Sequence, residues 1–430
     1  VHELFDGGGM MDALKMTGGR RLEGECTVHS AKNAILPILA ASILTDQQTV
    51  VTDCPALSDI GYMAEILETL GCRTRRENGA IVIDPQGLSS YEMPDGLSKK
   101  IRSSIFLLGP IVARFRKATV TFPGGCEIGL RPINLHLSGL RQLGVEVREE
   151  GGMIHCDGRN MRAGVVHFDY PSVGATENVM MAAALLKGTT LLHNVAREPE
   201  ILDLQQLMCA MGAKVSGAGT HTITVEGVPC MHGTVYRPMP DRIVAGTLLA
   251  ATANTGGSVF LKRAPCEAMY AIFSKLREMG CVVTQEGYGV RLHAPARLRA
   301  FPMLQTQPHP GFPTDMQVQM LALATGAEGT SVVVENVFEN RFTHAGDLNR
   351  MGANVLVNGR TAVVQGVKRL YGARVTARDL RGGAALAIAG LRAEGETLVE
   401  HAELIDRGYD RMENMLCALG ADVKRVAIEA

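Results

Sequence analysis

The sequence has almost no net charge, which argues against a general nucleic-acid-binding protein. Its 43 Lys and Arg residues are balanced by 44 Asp and Glu residues, so the formal net charge is −1 at pH 7. Binding driven by the release of counterions from nucleic acid requires a basic surface field. Sites for anions must therefore be local, and we expect no nucleic-acid partner.

The cysteines lack the spacing of a disulfide scaffold or of a zinc site. Ten of them are scattered between Cys26 and Cys417, with no Cys-x-x-Cys pair and no Cys/His cluster at zinc-ligand spacing. Disulfide scaffolds are short and rich in cysteine, whereas this chain has 430 residues. We expect reduced thiols in a reducing, cytoplasmic compartment, and no metal ion.

Long apolar runs and common catalytic motifs are missing too. No stretch reaches the roughly 18 apolar residues that cross a bilayer. The start, VHELFDGGGMMDALKM, is not a secretory signal, so we predict a soluble protein with residues 1–11 as an N-terminal extension. Because no phosphate loop, dinucleotide fingerprint, HExxH or GxSxG sequence occurs, point cations and helix ends must hold any phosphate.

What the sequence does contain is one sequence motif repeated six times. A helix that ends in Leu or Met is followed by Gly, a small residue and a strand-like run, at intervals of roughly seventy residues. Each glycine predicts a left-handed position at the end of an amphipathic helix. The glycines are Gly71, Gly144, Gly212, Gly280, Gly352 and Gly420.

Six further segments recur at the same interval along the chain. Each is apolar nearly all round and opens with a polar residue, as in KNAILPILAASIL and TDMQVQMLALATG. Such helices lie inside a layered structure, and the β-rich runs between them lie outside. A chain of this length exceeds one hydrophobic core. We therefore predict an α/β (α+β) protein of six units in two domains, three units each, with ligands bound in the cleft between them.

A Gly-rich segment, PGGCEIGLRP at residues 123–132, predicts reactive chemistry at Cys126. Pro and Gly form a turn whose bare backbone lets a ligand approach. Arg131, and the more distant Arg102 and Arg114, are candidate cations that favour the thiolate. The alternative is a buried, inert cysteine on a tight turn.

Two helix starts carry further candidates. Lys32 and Asn33 open the first buried helix, where the dipole attracts an anion that would offset the lysine; a solvated lysine is the alternative. Asp315 opens the fifth buried helix, as a general base in a dry cleft or as an N-cap carboxylate.

Three arginines lie near Asp or Asn in the C-terminal units: Arg341, Arg381 and Arg407. The planar guanidinium group suits carboxylate and phosphate. Taken singly, each is as well explained by a solvated or salt-bridged arginine.

Together these segments resemble the enolpyruvyl transferases, in order from residue 11 to the C-terminus. The likeness rests on AKNAILPILA, RSSIFLLGP, PGGCEIGLRPINLH, PSVGATENVMMAA, AREPEILDL, HPGFPTDMQ, VFENRF, DLRGGAAL and DRGYDRME. It implies an inside-out α/β barrel with βαβαββ-like units. One domain would contain residues 33–239 and the other residues 12–32 plus 240–430.

The resemblance also implies a reaction. The enolpyruvyl group of phosphoenolpyruvate would pass to the 3′-hydroxyl of UDP-N-acetylglucosamine by addition and elimination, with release of phosphate, in the first committed step of peptidoglycan precursor synthesis. It implies no cofactor and no obligate protein partner, and it places the protein in a bacterial cytoplasm.

Site residues follow by match to the motifs. Cys126 would be the proton donor and adduct site and Asp315 the base, with Lys32 and Arg407 also catalytic. Phosphoenolpyruvate would be bound by Lys32, Asn33, Arg131, Arg341, Arg381 and Arg407. UDP-N-acetylglucosamine would contact Asn33, Arg102, Arg131, Pro132, Ile133, Asn134, Leu135, His136, Ser172, Val173, Gly174, Asp315 and Val337.

Several positions depart from the family pattern, among them His29, Ser30, Asn134 and Val244. They leave two alternatives open: a catalytically weak UDP-sugar-binding paralogue, or a transferase with another acceptor. A thiol redox protein is disfavoured because no resolving cysteine lies near Cys126.

Overall fold

A computed structural model describes residues 10–122 and 133–429, which contain 23 β-strands and 14 α-helices. The strands are β1 (Met10–Thr17), β2 (Glu23–Thr27), β3 (Thr49–Val51), β4 (Arg73–Glu77), β5 (Ala80–Asp84), β6 (Lys117–Thr121), β7 (Glu146–Glu150), β8 (Met153–Asp157), β9 (Val165–His167), β10 (Thr189–His193), β11 (Lys214–Ser216), β12 (Thr222–Glu226), β13 (Val235–Tyr236), β14 (Ser258–Lys262), β15 (Val282–Glu286), β16 (Gly289–His293), β17 (Met303–Gln305), β18 (Thr330–Val334), β19 (Asn354–Asn358), β20 (Thr361–Gln365), β21 (Arg374–Thr376), β22 (Glu396–Glu400) and β23 (Asp422–Glu429).

The helices are α1 (Lys32–Ala41), α2 (Ser58–Thr69), α3 (Asp95–Lys100), α4 (Leu108–Phe115), α5 (Asn134–Gln142), α6 (Val173–Ala183), α7 (Pro199–Ala210), α8 (Arg242–Thr255), α9 (Tyr270–Glu278), α10 (Thr314–Thr325), α11 (Ala345–Arg350), α12 (Leu380–Arg392), α13 (Ala402–Ile405) and α14 (Met412–Ala418). A 3₁₀ helix at Arg102–Leu107 leads into α4. Within the described ranges, no helix is long and apolar enough to span a membrane.

The described strands form six small sheets on one plan. Five of them have four strands each. The first and second strands pair in parallel, whereas the second and third, and the third and fourth, pair antiparallel. The orders are β13-β3-β5-β4, β9-β10-β12-β11, β2-β14-β16-β15, β17-β18-β20-β19 and β21-β22-β1-β23. In the sixth, β6-β8-β7, Glu92 adds a parallel bridge to Thr119.

The six apolar segments form helices that are buried almost throughout: α1, α4, α6, α8, α10 and α12. Helices α8, α10 and α12 pack pairwise against one another, and α4 packs against α6. The sheets have one exposed face, as in β8, where Ile154 and Cys156 are buried and His155 between them is exposed. The predicted arrangement of helices inside and sheets outside is confirmed.

All six repeat glycines have positive φ, between 90° and 107°. Each follows an outer helix, namely α2, α5, α7, α9, α11 or α14, and precedes the next strand. An L-residue is strained in this region, whereas glycine is not. The repeated Gly therefore marks the turn of each unit, as predicted.

Buried apolar side chains form two clusters. The N-terminal core runs from Ala31 to Met231, and the C-terminal core combines Leu14 to Val28 with Ile243 to Val423. The chain passes between them at two paired segments, where the Ala31 N–H donates to Met239 O and the Asp241 N–H donates to His29 O.

The N-terminal strands complete sheets of the C-terminal core. Strand β1 lies between β22 and β23, with Met10 opposite Glu429 and Met11 opposite Ile428. Met10 and Met11, the last two residues of the predicted extension, therefore lie in register within a sheet.

Candidate active site

Several of the predicted site residues lie at the starts of the buried helices. Lys32 is the first residue of α1, and Asp315 and Arg381 are the second residues of α10 and α12. Arg102 begins the 3₁₀ helix before α4, and Ser172 caps α6 through its hydroxyl group. The positive ends of helix dipoles therefore accompany the side-chain charges.

A buried carboxylate holds two of the predicted cations together. Lys32 Nζ donates to Asp59 Oδ2 at 2.8 Å, and Arg407 Nε donates to Asp59 Oδ1 at 2.9 Å. Asp59 lies in the first turn of α2 in the N-terminal core, whereas Arg407 follows α13 in the C-terminal core. The three charges therefore join the two cores at the point where the chain crosses between them.

Burial and charge oppose each other within this triad. Burial lowers the pKa of Lys32, Asp59 opposes that shift, and Arg381 and Arg407 add to it. Burial raises the pKa of Asp59, but Lys32 and Arg407 outweigh it, so the net pKa is lowered. Lys32 is 8% exposed, which excludes the solvated lysine.

A second carboxylate holds two more of the predicted cations. Arg341 Nη2 donates to Asp315 Oδ1 at 2.8 Å, and Arg381 Nη2 donates to Asp315 Oδ2 at 3.2 Å. Both arginines are 2% exposed, so the solvated alternative fails for them as well. The N-cap interpretation of Asp315 is wrong, because Pro313 occupies the capping position and the Asp315 carboxylate turns to the arginines.

Each of these arginines also has buried N–H groups without a hydrogen-bond partner among the described residues. They are Nε of Arg341, and Nε and Nη1 of Arg381. A buried donor without a partner costs about 1–3 kcal/mol. Such donors suit a bound anion, because a carboxylate or phosphate oxygen would satisfy them.

Asp241 connects the two groups of charges. It caps α8 by accepting from the N–H groups of Ile243 and Val244, and its Oδ2 accepts from the backbone N–H of Lys32 at 3.3 Å. Burial raises its pKa, and the positive charge of Arg381 opposes that rise. The starts of α1, α8, α10 and α12 therefore meet.

The predicted nucleotide-side residues lie at the starts of α5 and α6. Asn134 is exposed, Leu135 is partly buried, and Ile133 precedes α5 as a buried residue. His136 lies against Gly174, since a Cβ added there would come within 2.9 Å of the ring. Ser172, Val173 and Gly174 are partly buried, as are Asn33 and Arg102.

Val337 is linked to the start of α10 through Glu335. The fully buried Glu335 accepts from the Val337 N–H at 2.8 Å and from the Thr314 hydroxyl at 3.0 Å. Arg114, by contrast, lies in the last turn of α4 and pairs with Asp46. Cys126, Arg131 and Pro132 lie outside the described residues.

Sequence reasoning missed four residues here: Asp59, Asp241, and Arg242 with Glu200, which form a buried ion pair. An acidic residue in a first helical turn is so common that neither Asp59 nor Asp241 stands out. Their burial, at 3% and 5% exposure, becomes visible only in the folded chain. Nowhere in the described ranges do three or more His, Cys, Asp or Glu side chains form a group that could hold a metal ion.

Comparisons with known proteins cover nearly the whole chain. Residues 16–416 match the family described as EPSP synthase (3-phosphoshikimate 1-carboxyvinyltransferase). UDP-N-acetylglucosamine 1-carboxyvinyltransferase 2 of Caldanaerobacter subterraneus subsp. tengcongensis is 50% identical, over 97% of this chain and all of that protein. The UDP-N-acetylglucosamine 1-carboxyvinyltransferase of Myxococcus xanthus is 48% identical, over 96% of this chain and 99% of that protein.

Solved structures share the fold. The enolpyruvyl transferase NikO from Streptomyces tendae superposes with a TM-score of 0.88 at 23% identity, over 98% of this chain and all of that one. EPSP synthase from Acinetobacter baumannii has a TM-score of 0.73 at 17% identity, over 97% of this chain and all of that one. At these identities the likeness concerns the architecture and leaves the acceptor open.

Proposed function

Because the chain belongs to the family of the UDP-N-acetylglucosamine 1-carboxyvinyltransferases, we propose that it transfers the enolpyruvyl group of phosphoenolpyruvate to the 3′-hydroxyl of UDP-N-acetylglucosamine. Phosphate is the second product. The reaction is the first committed step of peptidoglycan precursor synthesis, and we place it in a bacterial cytoplasm.

In the proposed reaction, the methylene carbon of phosphoenolpyruvate takes up a proton. A bond forms between its C2 and the sugar 3′-oxygen, which loses its own proton. The methyl group of the tetrahedral intermediate then gives up a proton and the bond from C2 to the phosphate oxygen breaks. We assign Cys126 as the proton donor to the methylene carbon and Asp315 as the acceptor of the hydroxyl proton.

The observation that supports this proposal is the clustering of four cations around two carboxylates. Lys32 and Arg407 meet at Asp59, and Arg341 and Arg381 meet at Asp315. Both substrates carry negative charge, so bringing them together requires cations that offset their repulsion. We propose Lys32, Asn33, Arg131, Arg341, Arg381 and Arg407 as the phosphoenolpyruvate site.

We also propose that the two cores are separate domains, with boundaries at residues 12–32 plus 240–430 and residues 33–239. The two crossing segments near His29 and Met239 support this division. The active site then lies in the cleft between the domains, and Lys32, Asp59 and Arg407 span it. Closure of the cleft would exclude water, which competes with the sugar hydroxyl for the activated intermediate.

Phosphate release from phosphoenolpyruvate tests the proposal. We expect release with UDP-N-acetylglucosamine, and none with shikimate 3-phosphate or without an acceptor. Cys126→Ala should lower the rate by at least about 100-fold, since a positioned proton donor contributes that much. Cys230→Ala, at an exposed cysteine, is the matched control and should leave the rate unchanged.

Two outcomes would contradict the proposal. Release with shikimate 3-phosphate alone would favour the other acceptor. Binding of UDP-N-acetylglucosamine without turnover would favour the weak paralogue. Fosfomycin, a thiol-alkylating epoxide, gives an independent check: mass spectrometry should locate its adduct on Cys126 in both the wild type and Cys230→Ala.

A further inference from the structure

A fully buried asparagine on α6 makes three side-chain hydrogen bonds. Asn178 Oδ1 accepts from the backbone N–H of Gly109 at 2.6 Å, and Asn178 Nδ2 donates to the carbonyl oxygen of Ile105 at 2.9 Å. Its third contact joins Nδ2 to Nδ1 of His136 at 2.8 Å. Asn178 itself is 0% exposed.

The two backbone contacts determine which way this amide points. The Gly109 N–H can only donate, so it faces the amide oxygen; the Ile105 carbonyl can only accept, so it faces the amide nitrogen. A flipped amide would place donor against donor and acceptor against acceptor. One N–H of Nδ2 therefore remains for His136.

The orientation of Asn178 determines the state of His136. Because Asn178 Nδ2 donates to it, Nδ1 of His136 must be a bare acceptor, and the proton of the neutral ring lies on Nε2. A doubly protonated ring would set an Nδ1–H against the amide N–H groups. Burial and the charge of Arg102 lower the pKa of His136 to about 3, which agrees with a neutral ring.

The remaining ring nitrogen lies at the start of α6. A Cβ added at Gly174 would come within 3.2 Å of Nε2, so that the ring edge packs directly against the backbone there. This is the helix start at which Ser172, Val173 and Gly174 lie, the stretch that the family resemblance assigns to the nucleotide sugar.

We infer that Asn178 is a positioning residue that holds His136 as the Nε2–H tautomer, so that this side of the site offers a hydrogen-bond donor and selects an acceptor oxygen of the nucleotide. This role rests on the proposed function for its ligand. The tautomer itself is a property of the free protein. A bare Nε2 would instead repel an oxygen, so the position of one ring proton affects how the nucleotide is recognised.

Nitrogen NMR of protein labelled with ¹⁵N-histidine tests the tautomer directly. We expect the His136 signals, identified by their loss in His136→Gln, to show a bare Nδ1 and a protonated Nε2, unchanged from pH 8 to about 5 because the pKa lies near 3. A protonated Nδ1 in the wild type would overturn the inference. This measurement stands even if phosphate release fails.

Kinetics test the selection. Asn178→Asp replaces the donor with a carboxylate oxygen, so Nδ1 must carry a proton, and KM for UDP-N-acetylglucosamine should rise on the order of tenfold, the effect of one hydrogen bond. Asn254→Asp is the matched control: Asn254 is 2% exposed on α8 and donates to Ile388 O at 2.8 Å, in the other core. It should leave the His136 signals and this KM unchanged.

A second pair of variants decides the matter if Asn178→Asp does not fold. The amide nitrogen of Gln reaches the position of Nε2, whereas that of Asn reaches only Nδ1. His136→Gln should therefore retain a lower KM for UDP-N-acetylglucosamine than His136→Asn. Equal KM values, or a changed tautomer with an unchanged KM, would overturn the selective role.

Discussion

Lys32 Nζ lies 2.8 Å from Asp59 Oδ2, and the two side chains are only 10% and 4% exposed. The carboxylate therefore does two things at once: it offsets the desolvation of the ammonium group, and it holds Arg407 on its other oxygen. Removing one member of a buried ion pair leaves an uncompensated charge, which is far more costly than losing an exposed pair.

Asp59→Asn should consequently weaken both stability and catalysis. The free energy of unfolding should fall by about 3 kcal/mol. The kcat/KM for phosphoenolpyruvate should fall at least about tenfold, because Lys32 and Arg407 would repel each other. Asp95→Asn is the control: Asp95 pairs with Lys99 at the same 2.8 Å but on the surface. Its change should stay below about 0.5 kcal/mol, and similar losses in both variants would contradict the role of burial.

The repeat could be predicted from the sequence because its signals are local. Glycine after a helix and an all-apolar helix each report the conformation of a few neighbouring residues, and both predictions were confirmed six times. The insertion of β1 between β22 and β23 has no such signal, because its partners are roughly 380 to 420 residues away along the chain.

The site residues likewise divide into those that have a local signal in the sequence and those that have none. Lys32 and Arg381 could be proposed because a positive charge at a helix start is visible in the sequence, and Asp315 because it lies in the motif HPGFPTDMQ, which carries the family resemblance. The carboxylate that Lys32 and Arg407 share could not, since Asp59 looks like any acidic residue in a first turn. Its partners come together only through the packing of α1, α2 and the α13 segment.

The carboxylate of Asp53 gives a prediction about stability at acid pH. Asp53 accepts from His29 at 2.9 Å and Ser30 at 3.0 Å, and also from Arg263. Burial raises the pKa of Asp53, but these hydrogen bonds outweigh it and lower the pKa from 3.8 to about 2. Arg237 approaches the same carboxylate from the second crossing segment.

Because this pKa is lower in the folded state, Asp53 stabilises the protein above pH 3.8, and the contribution is lost as the pH falls toward about 2. Asp53→Asn should therefore be less stable than the wild type at neutral pH, and the difference should shrink in that acid window. Urea unfolding at several pH values measures it. His29→Gln removes the imidazole partner of Asp53 and serves as the control. A difference that stays constant with pH would contradict the assignment.

The ring of Tyr409 packs against the guanidinium group of Arg381. The guanidinium carbon of Arg381 lies 5.3 Å from the centre of the Tyr409 ring, and the phenol oxygen lies 2.9 Å from the Thr247 hydroxyl and 3.3 Å from Gln319 Nε2. Tyr409→Phe should keep the ring and lose these hydrogen bonds, lowering stability by about 1 kcal/mol. Tyr409→Leu should also lose the cation–π contact and raise KM for phosphoenolpyruvate. Equal KM values in the two variants would show that the ring does not position Arg381.

The repeat turns allow a test of backbone conformation alone. Gly420 has φ of 93°, and a Cβ added there would meet only ordinary contact, at 3.8 Å from Arg21 O. Gly420→Ala should therefore cost about 1–2 kcal/mol, because an L-residue is strained in this region.

Gly346 provides the opposite case: it is exposed within α11, and a Cβ added there would have no atom within 4 Å. Gly346→Ala should stabilise the protein by about 0.5–1 kcal/mol, since alanine loses less backbone entropy in a helix. Opposite signs in thermal unfolding would separate conformational strain from steric contact, whereas two destabilised variants would show that the turn glycines are not special.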